Sequence, residues 1–167
     1  MSKPKIIHLG MVDLAGKGPG SFSVGTFKLS NDYSSDIFSS ARQFLAAAEL
    51  CLNNGENIEG KLTLLVPGVV CAAFACELSL KWLIYHETQK EERGHRLKEL
   101  YDLLSQEMRD QISKFQSDFS GFLQRNDEVF ITARYHHEFD IFAFRETEIL
   151  QFAQFMVSIM ESRNEHV

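Results

Sequence analysis

Residues 75–104, ACELSLKWLIYHETQKEERGHRLKELYDLL, constrain this chain more than any other stretch. An apolar run carries Glu77 and Lys81, a charged break from Lys90 to Arg93 follows, then Gly94-His95, then a second periodic segment from Leu97. Side chains four apart lie on one face of a helix, so Glu77 and Lys81 share a face of a helix otherwise rich in Ala, Leu, Phe and Trp82. An exposed face makes the pair a solvated edge contact contributing a few tenths of a kcal/mol. A half-buried face makes it part of an ionic network between helices, because unpaired buried charge is costly. The order helix, charged break, helix sets an all-α reading for the chain.

The rest of the pattern agrees. Asn31, Asp32 or Ser34 suits a helix N-cap. Ile37, Ala41, Phe44, Leu45, Ala48, Cys51 and Leu52 then recur at helical spacing, until Asn53-Asn54-Gly55 stops them. A second helix is expected from about Pro67, a favoured first-turn residue, to about His86. Leu97, Leu100, Tyr101 and Leu104 define a third. Ser105 can cap a fourth, with the stripe Met108, Ile112, Phe115, Phe119, Phe122 and Leu123. A short element over 129–135 leads to His136-His137-Glu138, and a last helix is expected over 146–161. On that last helix the apolar residues span roughly 220° of the circumference. It therefore either sits centrally in the bundle or offers a second face to another chain, and a homodimer through Phe152, Phe155 and Ile159 is the expectation.

Residues 1–32 differ: they hold five of the ten glycines and two of the three prolines. They are expected to form an extended arm along the helices or a partner subunit, leaving 33–167 as one helical domain. The stretch from Gly10 to Gly18 does not make a phosphate loop, since five residues separate Gly10 and Gly16 and Gly18 follows Lys17 where a hydroxyl belongs.

A length of 167 residues fits one domain, and the formal charge of −6 argues against non-specific gripping of nucleic-acid phosphates while leaving room for a local basic site. The three cysteines, Cys51, Cys71 and Cys76, all fall in apolar helical patterns and read as free thiols in a reducing cytoplasm. The longest uncharged run, 62–76, has fifteen residues, short of a membrane span, and 1–10 carries no apolar signal segment. No membrane association is expected. Six histidines lack metal-ligand spacing, His86-Glu87 has no second His four residues on, and neither metal nor cofactor is expected.

The segment Arg134-Tyr135-His136-His137-Glu138 gathers a guanidinium, a phenol, two imidazoles and a carboxylate. RNA cleavage without metal needs a base for the 2′-hydroxyl, an acid for the leaving oxygen and a cation for the phosphorane charge, and His and Arg supply all three. The same residues also suit a polar helix end, with Arg134 paired to Glu138.

The pieces AFACELSLKWLI, GHRLKELYDLL and FITARYHHE, in this order and separation, resemble the HEPN superfamily of small helical domains over roughly 33–160. The resemblance implies a four- to five-helix up-and-down bundle, usually dimeric. Members include metal-independent ribonucleases of toxin–antitoxin and phage-defence systems, inactive partners of minimal nucleotidyltransferases, and binding modules. The ribonucleases share Arg, four to six residues, then His. Here His136 and His137 follow Arg134 at two and three positions, and no other Arg has the family spacing. Matching positions are Glu77, Lys81, Gly94, His95, Arg134, Tyr135 and Glu138. The resulting expectation is a non-catalytic module that binds a nucleotide, RNA or a partner protein through Glu77, Lys81, His95, Arg134, Tyr135 and Glu138. The alternative is an endoribonuclease using Arg134 with His137 or His95.

Overall fold

A computed structural model describes residues 32–54, 64–135 and 145–164. These form seven α-helices, with no strand among the described residues: α1 (Tyr33–Asn54), α2 (Leu65–Thr88), α3 (Leu97–Asp102), α4 (Gln106–Ser113), α5 (Phe119–Asn126), α6 (Val129–Arg134) and α7 (Glu146–Asn164). The chain is all-α. The expected arm over 1–32 and the segment His136-His137-Glu138 lie outside the described residues, Asp32 excepted.

Helix α1 starts where an acceptor is available for its orphan amides. Asp32 accepts from the Ser34 N–H at 3.1 Å and from the Ser35 hydroxyl at 2.5 Å, which singles it out among the three candidate caps. These bonds hold the Asp32 carboxyl below its ordinary range. Helix α2 places Pro67 in its first turn, where no N–H is needed. It ends at Gln89, whose backbone is left-handed (φ 58°) and whose N–H returns to the Tyr85 carbonyl at 2.8 Å.

The central element is α2, which packs against α1, α7, α6 and α3. Buried side chains run almost without a break from Val69 to Ile84, among them the small residues Ala72, Ala73, Ala75 and Cys76 that let neighbouring helices approach on several sides. Helix α2 has the length and apolarity of a membrane-crossing helix, but 78% of its most apolar stretch is covered by the chain itself. Burial also pushes the Cys76 thiol well above its ordinary range, which suits an inert core cysteine. Cys51 and Cys71 are unpaired and half-buried.

At Gly68 helix α2 packs tightly against the end of α1. A Cβ there would lie 2.6 Å from Leu52 Cγ and Cδ2 and 3.2 Å from Cys51 Cβ. Gly68→Ala is therefore expected to lower stability by about 1–3 kcal/mol through overpacking, checked by urea denaturation. An unchanged midpoint would mean that the end of α1 moves aside freely.

The expected fourth helix is two. Lys114 and Phe115 close onto the carbonyls of Gln111 and Ile112 three residues back, ending α4 in a tight turn. Asp118 then caps α5, its side chain accepting from the Gly121 N–H at 3.1 Å. The apolar stripe survives the break: Met108, Ile112, Phe119, Phe122 and Leu123 are all buried. With α3 and α6 also short, the described residues hold more helices than the four or five of the expected bundle, although the long ones are α1, α2 and α7.

Helix α7 lies within the chain's own core. Phe152 and Ile159, two of the three residues expected at a dimer interface, are covered by other helices of the same chain, and Phe155 is half-buried. The 220° apolar arc is explained by packing against both α2 and α1.

Candidate functional site

Glu77 has no solvent exposure, and Lys81 on the next turn retains 8%. Their contact is direct: Lys81 Nζ lies 2.7 Å from Glu77 Oε1. The structure thus resolves the two readings of this pair in favour of burial. The same oxygen is 2.9 Å from His95 Nδ1, which arrives from the segment between α2 and α3. A carboxylate only accepts, so Nδ1 carries the proton in this bond and Nε2 is the nitrogen left for other contacts. The His95 side chain is 51% exposed. A buried carboxylate therefore fixes the orientation of a surface imidazole. Glu77 Oε2 is buried and has no hydrogen-bond partner among the described residues.

Contacts of the residues that follow His95 hold its segment in place. Arg96, the next residue, is 3.0 Å from Asp127 and 2.7 Å from Glu128 at the α5–α6 junction. Asp127 also accepts the backbone N–H of Lys98 at 2.7 Å through its side chain and that of Leu97 at 3.1 Å through its carbonyl, so it caps α3 from another part of the chain. The segment bearing His95 is thereby tied to α6.

Phe130 on α6 links the two halves of the site. Its ring stacks on Phe74 of α2 at 4.8 Å, lies 5.9 Å from the His95 ring, and has the Arg134 guanidinium over it at 4.9 Å. Arg134 also donates to the Tyr135 hydroxyl at 3.0 Å and sits 5.2 Å from that ring. Arg134 and Tyr135 are exposed. No family model, curated protein or solved structure matches the chain.

Of the residues singled out in the sequence, Glu77, Lys81 and His95 form one hydrogen-bonded cluster, while Arg134 and Tyr135 adjoin it through Phe130. Among the described residues no ion pair joins Arg134 to Glu77. Gly94 precedes His95 in the same link, while His137 and Glu138 lie outside the described residues. Sequence reasoning missed Phe130 and Asp127. Neither carries a local signal beyond an apolar or acidic residue near a helix end. Among the described residues no three His, Cys, Asp or Glu side chains are grouped to hold a metal.

The His95–Arg134–Tyr135 surface is open. A cavity of about 660 Å³ runs alongside α6, but it is lined by Arg96, Arg125, Thr132, Arg145 and their neighbours, and by none of these three. Its cations are engaged: Arg96 by Asp127 and Glu128, Arg145 by Glu148 at 2.8 Å. A second, of about 490 Å³, lies at the far end of α2 beside Trp82 and His86.

Proposed function

We propose that this chain is a HEPN-like, non-catalytic binding module that takes a segment of single-stranded RNA on the surface of His95, Arg134 and Tyr135. The observation that carries this reading is the Phe130 ring, which holds the imidazole and the guanidinium together while both stay exposed. Arg134 supplies the cation for a phosphate. Tyr135, at 41% exposure, supplies an aromatic face of the kind on which unpaired bases stack. His95 adds a hydrogen-bonding edge held in one orientation by Glu77. A surface built on a buried ionic anchor fits recognition better than a purely structural cluster, whose polar groups would all be covered. An open face favours a strand over a free nucleotide, which is ordinarily enclosed in a pocket of several hundred Å³. Three unpaired cysteines fit a reducing compartment such as the cytoplasm.

The test is fluorescence anisotropy with a short unstructured RNA at low salt. Arg134→Ala and Tyr135→Ala are each expected to weaken binding about tenfold, one charge-assisted contact or one stacked base, with thermal midpoints nearly unchanged. Equal binding by wild type and both variants would refute the assignment.

The same geometry supports the endoribonuclease alternative, because Arg134 and His95 flank one ring. Metal-free cleavage of mixed RNA by the wild type, lost in Arg134→Ala and in His95→Ala or His137→Ala, would replace the binding reading with that one.

A further inference from the structure

Two of the three cysteines stand on the same helix–helix contact. Cys51 is in the last turn of α1, and its Cβ comes 3.2 Å from the Cβ position at Gly68 of α2. Cys71 follows Gly68 by one turn, and side chains three apart on a helix are neighbours on one face. Cys51 and Cys71 therefore flank one contact from opposite helices, where a glycine lets the two backbones approach. Both thiols are half-buried, whereas Cys76 has no exposure. Burial raises the Cys71 thiol above its ordinary range and the neighbouring Cys51 raises it further, so the two sulfurs sense one another across the contact.

A disulfide needs Cβ atoms about 4 Å apart. Cys51 Cβ already lies nearer than that to the Gly68 position, on the face of α2 that carries Cys71. We propose that Cys51 and Cys71 are a modification site, a dithiol that closes to a reversible disulfide between α1 and α2 when small-molecule disulfides accumulate. In a reducing compartment the pair rests as thiols, in the manner of cytosolic redox-sensing cysteines. Cys76, enclosed in the core, takes no part.

The reaction is thiol–disulfide exchange. The raised Cys71 thiol is a slow first attacker, which gives the first step to Cys51. Its thiolate attacks one sulfur of oxidised glutathione, whose S–S bond breaks. The released glutathione takes up the proton that Cys51 gave up. Cys71 then attacks Cys51 Sγ and expels the second glutathione in the same way. Two protein thiols are oxidised and one small disulfide is reduced to two thiols, so electrons and protons balance. None of this rests on the RNA-binding reading, which uses neither cysteine.

The experiment exposes the reduced full chain to oxidised glutathione, then unfolds it, alkylates the remaining thiols and weighs the products by mass spectrometry. The expected product carries one alkyl group, on Cys76, and yields a Cys51–Cys71 cross-linked peptide that dithiothreitol removes. Cys71→Ser is expected to stop at a mixed disulfide on Cys51, and Cys51→Ser to react slowly. The bridge closes a loop of about 20 residues, so the oxidised wild type is expected to melt about 5–10 °C above the reduced form. Glutathione retained on both cysteines without a bridge, no reaction of either thiol, or a bridge formed only between chains would each overturn the proposal. So would a bridge that lowers the melting temperature, since it would have to pull the packed helices out of place.

Discussion

Lys81→Met is expected to destabilise the chain by about 3–5 kcal/mol, the cost of stranding a buried carboxylate. Glu77 is wholly enclosed and, among the described residues, already has one oxygen without a partner, so removing Lys81 leaves His95 as its remaining donor among them. An imidazole half exposed to water replaces a buried ammonium poorly. The double variant Glu77→Leu/Lys81→Met separates the cost of stranding from the value of the pair. Replacing a buried ion pair with apolar groups of similar volume is often neutral or stabilising, so the double variant should regain most of the loss. Urea denaturation of the three proteins measures both effects. A loss below about 1 kcal/mol for Lys81→Met would mean that water reaches Glu77. The double variant also bears on function: it should keep the fold while releasing His95 from its fixed orientation. Reduced RNA binding at wild-type stability would then identify Glu77 as a positioning residue rather than a structural one.

The spacing of Glu77 and Lys81 was legible in the sequence, and so was the choice it posed between edge pair and buried network. The decision was not, because it depends on what covers the face. Packing of α2 against α1, α7, α6 and α3 is a property of the whole chain, whereas periodicity reports on one segment at a time. Similarly, the stripe from Met108 to Leu123 was read correctly as core but wrongly as one helix. The break at Lys114 to Asp118 keeps apolar residues three and four apart, so the pattern passes through it unchanged. The local signal was Asp118 itself, a good N-cap residue standing inside a supposed helix.

The site shows the same division. His95 was singled out from its place after Gly94, and Arg134 from its neighbours, yet nothing local places either beside Phe130. Nor does Asp127 announce that it caps α3, since the partner amides belong to a segment 29 residues earlier. Contacts of this kind arise from the way α3 and α6 dock on α2. They account for why a polar set could be nominated by sequence while its ordering, with Glu77 at the base and Arg134 at the rim, came from the structure.

Phe152→Ala is the sharpest test of that docking, and it separates a core position from an interface position. Phe152 is fully buried and meets the rings of Phe122 at 4.8 Å, Phe115 at 5.0 Å and Phe119 at 5.8 Å. Truncation removes the ring and leaves a cavity among three aromatic neighbours that stand on α5 and in the turn before it. The expected cost is about 3–5 kcal/mol, a large share of the stability of an ordinary domain. If Phe152 belongs to the chain's own core, the loss is independent of protein concentration. If it anchors a dimer, the apparent stability of the wild type rises with concentration and the variant loses that dependence. Denaturation at two protein concentrations a hundredfold apart, with the milder Phe152→Leu as a foldable companion, distinguishes the two. The packing of α7 against α2 and α1 leads to the first outcome, with the gap between wild-type and variant midpoints the same at both concentrations.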